Sequence, residues 1–196
     1  MTEWSTIPDL VGEHVRLTAL GDEHVDELLE AADSDEVFRW LSFRRPRDHE
    51  QMAAVVEQMT SRRPVQLPWA QVDQRTGRAV GMTSYYDIDE QSRTVAIGFT
   101  WLGSRAWRTG INTEAKLLLL TRAFDELGCV RVVWHTDCRN ERSQAAIQRL
   151  GATYEGSLRK HRLRADGSWR DTYTYSMLDD EWPAARDALV ARLRRD

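Results

Sequence analysis

Residues 101–120, WLGSRAWRTGINTEAKLLLL, open on the end of an alternating apolar run, pass through a short loop and close on four consecutive leucines. A strand hands over to a long hydrophobic helix within that loop. At such a junction several main-chain N–H groups lack partners, and the positive end of the helix dipole points the same way. The junction is therefore suited to an anion. Gly110 allows backbone to approach a ligand closely, and Thr109 and Thr113 carry hydroxyl donors, so a pyrophosphate is the expected occupant. Neither of two familiar nucleotide loops, G-x-x-x-x-G-K-[ST] or G-x-G-x-x-G, is present. A lone glycine before a helix also fits a plain strand-to-helix turn.

Working outward, residues 113–127 are strong helix formers, apolar around most of the circumference and stopped by Gly128. Val130, Val132 and Trp134 alternate as a strand, and Asn140 then caps a helix carrying Ala146, Ile147 and Leu150 that Gly151 closes. A strand-helix-strand-helix run over 93–151 needs a crossover, so part of the sheet is expected to be parallel. Upstream, three antiparallel strands are expected from Pro68 to Leu102, with turns at 73–77 and 89–92. The last strand is expected to put Val95, Ile97, Phe99 and Trp101 on one face. Before it, His14 to Ala19 reads as a strand, and Asp22 as the cap of a helix striped by Val25, Leu28, Leu29 and Ala32. Residues 33–47 read as a loop, and Asp48 with Gln51 as a capping box for a helix striped by Met52, Val55, Val56 and Met59. Downstream, residues 154–164 and 168–178 form a hairpin about Ala165-Asp166-Gly167, and a helix beginning near Asp180 follows. The expected class is α/β, a mixed sheet of about seven strands flanked by helices.

The chain has 196 residues, 27 Lys+Arg and 31 Asp+Glu. That length suits a single domain, 1–196, and no linker, repeat or low-complexity tract divides it. Twenty-five of the 27 cations are arginines, scattered along the sequence, and with net charge -4 nucleic-acid binding is not expected. The longest apolar run, Leu117 to Leu120, is far below the roughly 18 residues of a membrane helix, so no membrane partner is expected. With no leader pattern at the N-terminus, a cytoplasmic protein is the expectation. Cys129 and Cys138 lack metal-site spacing and read as packing residues, and no metal is expected.

The stretch Trp107-Arg108-Thr109-Gly110-Ile111-Asn112-Thr113-Glu114-Ala115 resembles the coenzyme A loop, [QR]-x-x-G-x-[GA], of the GNAT N-acetyltransferase superfamily. It is closest to the W-G-K-G-Y-A-T-E-A form of the RimJ/RimL-like branch, whose enzymes acetylate ribosomal-protein N-termini. Arg108 stands for a glycine and Asn112 for a small residue. The resemblance begins with Leu10-Val11-Gly12-Glu13-His14-Val15-Arg16-Leu17. It continues through Ile97-Gly98-Phe99, Asn140-x-x-Ser143, Leu150-Gly151-Ala152, Glu155-Gly156, Arg170-Asp171-Thr172 and Tyr175-Ser176. It implies a GNAT fold with strands splayed around acetyl-CoA. The backbone of Trp101 and Leu102 would hold pantetheine, residues 107–113 (Trp107, Arg108, Thr109, Gly110, Ile111, Asn112, Thr113) the pyrophosphate, and Asn140 the pantetheine arm. Ser143 would approach the thioester sulfur and is the implied catalytic residue. Homologous folds often pair through their C-terminal strands, leaving a homodimer open.

The implied reaction is attack of an amine on the thioester carbonyl, which needs a neutral amine and a proton for the leaving thiolate. Ser143 can supply that proton. Tyrosine is the usual thiolate acid in many superfamily members, but the matching position is Ile147. A glutamate usual before the Ile-Gly pair is Ala96, and His135, Asp137 and His161 are the other titratable candidates. Deprotonating an α-amino group of pKa about 7.8 at pH 7.4 costs roughly 0.5 kcal/mol, and a lysine near 10.4 about 4 kcal/mol. A site without a strong base thus favours an N-terminal or small-molecule amine. The acceptor is expected beside Phe38, Trp40 and Phe43, with Asp33, Asp35 and Glu36 nearby for a cationic amine. The competing reading is a catalytically silent acyl-CoA-binding protein.

Overall fold

Among the residues that the computed structural model describes, 3–164 and 166–194, eight strands form one sheet. In chain order the elements are β1 (Leu10–Val11), β2 (Val15–Ala19), α1 (Val25–Ala31), α2 (Asp35–Phe38), α3 (His49–Thr60), β3 (Gln66–Asp73), β4 (Arg78–Asp89), β5 (Thr94–Leu102), α4 (Ile111–Thr121), β6 (Arg131–Asp137), α5 (Glu141–Arg149), β7 (Thr153–Leu163), β8 (Trp169–Leu178) and α6 (Trp182–Leu193). The spatial order is β1-β2-β3-β4-β5-β6-β8-β7. Every pairing is antiparallel except β5 with β6, the parallel pair that the crossover through α4 demands. The strand beyond the expected seven is β1, whose two residues are too few to show a period.

Several local readings hold to the residue. Asp48 accepts from Gln51 N at 2.9 Å, and Asn140 Oδ1 from Ser143 N at 3.1 Å. Gly128 and Gly151 both adopt positive φ at helix ends, as a C′ glycine should. The long helix starts at Ile111 rather than 113, and its last stretch, Arg122–Glu126, widens to a π-helix. Asp22 is not a cap. It begins a 3-10 turn, Asp22–His24, entered from Gly21, and α1 starts only at Val25. The loop after α1 contains a short helix, α2, capped by Ser34. The hairpin turn includes Ala165, which lies outside the described residues.

Helices cover both sheet faces. On one, α1 and α3 bury Leu28, Met52 and Val56 against Ala70, Met82 and Trp101. On the other, α4 and α6 bury Leu119, Leu120 and Trp182 against Leu17, Trp69 and Ile97. Each fully buried aliphatic side chain contributes roughly 1.5–3 kcal/mol.

One expectation about β5 fails in an informative way. Val95 and Ile97 face α4, but Trp101 faces α1 and α3. Phe99 has φ 51°, and the pairing with β4 slips there, from Ser84↔Gly98 to Met82↔Trp101. This bulge reverses the alternation, so Phe99 and Trp101 leave the face of Val95 and Ile97, and Leu102 takes a place on it. Past Ala96↔Val133, β5 no longer pairs with β6. β5 continues along β4 to Leu102, and β6 continues along β8 to Asp137. The separation of these two strand ends creates the cleft described next.

Candidate active site

A cleft of about 900 Å³ opens between the diverging ends of β5 and β6. Its walls include Gly98 to Leu102 from β5, Trp134 to Asp137 from β6, Trp107 to Thr109 with Asn112 and Thr113 at the start of α4, and Asn140 and Ser143 at the start of α5. Trp101 and Leu102, residues 107–113, Asn140 and Ser143 are thus gathered around one space, although Gly110 and Ile111 sit behind the wall and Ile111 is core.

At the mouth of the cleft the junction has the expected donor character. Among the described residues no hydrogen bond engages the main-chain N–H groups of Asn112 and Thr113, which lie in the first turn of α4 without an intrahelical acceptor. Thr109 spends its proton locally, donating from Oγ1 to the carbonyl of Ala106 at 2.7 Å. Arg108, where the related loop has glycine, adopts φ 60°, so the turn keeps a glycine-like conformation with an arginine in it. Gly110 itself is helical, at φ -63°. What excludes a side chain there is His14, whose ring carbon Cδ2 would lie 2.8 Å from an added Cβ. His14 is fixed in turn by Glu114, which accepts from the main-chain N–H groups of Glu13, His14 and Val15 at 2.8, 2.6 and 2.8 Å.

The opposite wall is held by capping. Asn140 uses Oδ1 on Ser143 N, and its amide N–H groups have no partner among the described residues. Arg142 stacks 3.7 Å over the Trp107 ring, tying the start of α5 to the turn before α4, and Trp107 Nε1 donates to the Leu102 carbonyl at 2.8 Å. Burial lowers the Arg142 pKa, opposed by Glu36 across 3.9 Å.

Of the aromatic trio on the α1–α3 connection, only Trp40 lines the cleft. Phe38 packs on Trp101 with centroids 5.0 Å apart and on Phe43 at 5.9 Å, so both phenylalanines serve the core. The nearby acids are also engaged. Asp33 accepts from Ser104, Asp35 from Arg47 at 2.6 Å, and Glu36 lies near Arg142. The expected acidic receptor for a cationic amine is therefore already partnered within the protein.

The titratable candidates lie at the other end of the cleft. His135 Nδ1 is 3.0 Å from Tyr86 Oη, and its ring is 6.1 Å from that of His161. Burial holds the His135 imidazole below its ordinary pKa, with Arg162, His161 and Arg170 adding to the effect and Asp87 opposing it. Asp137 is gripped by Arg164, Nε to Oδ2 at 2.6 Å and Nη2 to Oδ1 at 3.0 Å, and stays a carboxylate despite burial. Sequence reasoning missed Tyr86, Lys116, Arg162 and Arg170 as members of this site. Gly98 was the available signal for Tyr86, because an added Cβ would meet the tyrosine ring at 2.6 Å. Lys116 Nζ, on α4, donates to Thr100 Oγ1 at 2.7 Å and Thr83 Oγ1 at 3.0 Å.

A family model described as "Acetyltransferase (GNAT) domain" matches residues 14–153. Over 106 residues the chain is 36% identical to YdaF of Bacillus subtilis (strain 168), which carries the name of a ribosomal N-acetyltransferase; the match spans 54% of this chain and 57% of that relative. The crystal structure of a GCN5-related N-acetyltransferase from Brucella melitensis superimposes with TM-score 0.90 at 31% identity, covering 95% of this chain and 85% of that one. Mycobacterium smegmatis RimJ in complex with CoA-disulfide has the same fold, with TM-score 0.77 at 23% identity over 91% and 88% of the two chains. The diverging parallel strands, the turn at the head of α4 and these likenesses together place the chain in the GNAT acetyltransferase family.

Proposed function

We propose that the protein transfers an acetyl group from acetyl-CoA to the primary amine of a peptide N-terminus or a small molecule. The observation that carries this reading is the cleft where β5 and β6 part, with unpaired N–H groups of α4 at its mouth and Asn140 and Ser143 opposite. Family membership supports acetyl-CoA as the donor, and the RimJ structure of the same fold holds a CoA derivative. In this reading the diphosphate lies on the N–H groups of Asn112 and Thr113, with Arg108 and Arg142 beside it. The polar edge of β5 around Trp101 and Leu102 takes the pantetheine amides, and Asn140 donates to that arm from the free face of its amide.

For the chemistry, Ser143 hydrogen-bonds the leaving thiolate and relays a proton to it, regaining its own from water in the open cleft, and His135 receives the proton released by the attacking amine. In the tautomer where Nδ1–H donates to Tyr86 Oη, the Nε2 lone pair is free, and the lowered pKa keeps it free at neutral pH. His135 is a modest base, which suits an α-amino group more than a lysine side chain. Much of the remaining acceleration comes from holding amine and thioester together.

Thiol release tests the reading against a silent acyl-CoA-binding protein. Acetyl-CoA raises the melting temperature under both, but free CoA accumulates on adding amine only if the protein is an enzyme. Ser143→Ala is expected to lower kcat roughly 10- to 100-fold while acetyl-CoA affinity changes little. Unchanged kcat removes Ser143 from the mechanism.

A further inference from the structure

At the end of the cleft away from the anion turn, the β7/β8 ladder sets Arg162 directly opposite Arg170. Like charges in opposed positions destabilise a ladder. Neither guanidinium has a hydrogen bond or ion pair with another described residue, and Arg170 Nε is buried. Of the described carboxylates on this side, Asp137 is already taken by Arg164 through two hydrogen bonds, and Asp87, which shares the side pocket with Arg162, makes no ion pair with it. On the same face of β8, at alternate positions, the Thr172 and Thr174 hydroxyls are also buried without partners. Arg162 is exposed and solvated, but a half-buried Arg170 with a buried, unpaired Nε, next to two unpaired threonine hydroxyls on its own strand face, is an arrangement that a ligand would complete.

The missing group is an anion, and its position decides which one. Arg162 and Arg170 line the cleft together with Tyr86 and His135, whereas the diphosphate turn and Arg142 are at the opposite end. Arg162 also walls a side pocket of about 220 Å³ with Tyr86, Asp87 and Phe99. The anion therefore belongs to the reacting end. Guanidinium groups present planar forks that match a carboxylate. We propose that Arg162 and Arg170 form a carboxylate-binding subsite for the acceptor, selecting amines that carry a carboxylate a few bonds from the nitrogen and aiming that nitrogen at His135. This rests on the acetyl-transfer reading above. It also replaces the acidic receptor expected on the α1–α3 connection, whose carboxylates are engaged elsewhere.

The test is thiol release from acetyl-CoA with glycine, β-alanine and γ-aminobutyrate, each paired with its amide, for the natural protein, Arg170→Gln and Arg162→Gln. Comparing the acid-to-amide ratio of kcat/KM between proteins cancels the different basicities of the amines. The ratio should fall about 10- to 100-fold in each variant for the best chain length, as expected on losing a charged partner. Removing one of two opposed cations should leave the melting temperature equal or higher; if Arg170→Gln does not fold, Arg162→Gln carries the comparison. A ratio that is the same in all three proteins overturns the proposal. Succinyl-CoA with the amides covers the other source of a carboxylate, the acyl chain: an arginine-dependent preference appearing there alone moves the subsite to the donor and overturns the acceptor assignment. Absence of thiol release with every one of these amines and with a panel of N-terminal peptides instead defeats the acetyl-transfer reading itself.

Discussion

Lys116 is 5% exposed and has two threonine hydroxyls as partners, with no carboxylate in contact among the described residues. Burial lowers its pKa to about 7. Because the ordinary value is 10.5, the unfolded chain binds an extra proton between the two, so this residue makes stability rise with pH from about 7 to about 10.5. Below pH 7 its penalty is fully present. Lys116→Met keeps the volume and leaves Thr83 and Thr100 bonded to each other at 2.8 Å. It should add on the order of 1–4 kcal/mol at pH 6 and flatten the slope between pH 7 and 10; urea unfolding at pH 6 and 9.5 checks this, and parallel pH slopes for both proteins contradict it. His135 gives a second pH effect, in activity. Its depressed pKa adds a limb below 6.5 to the kcat/KM profile, beneath the limb set by the free amine itself, and His135→Gln should abolish the lower limb alone. A lower limb that persists in the variant assigns the proton elsewhere.

Single residues also show what a sequence conceals. Gly110 stands out in the loop, yet its constraint comes from His14, 96 positions away in the chain and brought beside it by Glu114. Gly110→Val should therefore displace His14 and cost about 1–3 kcal/mol of stability as well as weakening coenzyme A binding. Thermal unfolding separates the two effects; intact stability and affinity together contradict this placement of the turn. The sequence likewise gives no hint that Phe38 serves the core and Trp40 the cleft, because a connection without period lacks a readable face.

At the scale of elements, periodicity and caps were sufficient wherever a segment obeys one rule throughout. The Asp48–Gln51 cap, the Asn140 cap, the hairpins of β3 to β5 and the parallel crossover all follow from adjacent residues. The bulge in β5 does not. VAIGFTWL alternates without interruption in sequence, and only the slip against β4 at Phe99 turns Trp101 to the other face. The junction of β2 with α4 is equally non-local, since one carboxylate, Glu114, serves three consecutive N–H groups of another element. Glu114→Ala leaves all three donors without the carboxylate and the Val15 N–H buried and unpaired, and should cost about 1–3 kcal/mol, measured by chemical denaturation. A loss under 0.5 kcal/mol would show that the strand entry holds without it.

For the whole molecule, net charge misleads. The chain carries -4 overall, but among the described residues eight arginines line the cleft against the two carboxylates of Glu36 and Asp137. Scattered along the sequence from Arg39 to Arg192, they converge only once the helices and strands around the strand gap are assembled. Coenzyme A affinity should accordingly fall with ionic strength, whereas fold stability should change little. Saturating acetyl-CoA, at 100 times its Kd, should stabilise the protein by about 2.7 kcal/mol. The central claim is that main-chain donors where α4 begins hold the diphosphate and that the thioester points between β5 and β6 toward Ser143. A crystal structure with acetyl-CoA tests it most directly. The account predicts phosphate oxygens within hydrogen-bond distance of the Asn112 and Thr113 nitrogens and the sulfur beside Ser143 Oγ; a diphosphate bound elsewhere, with that turn bare, contradicts it.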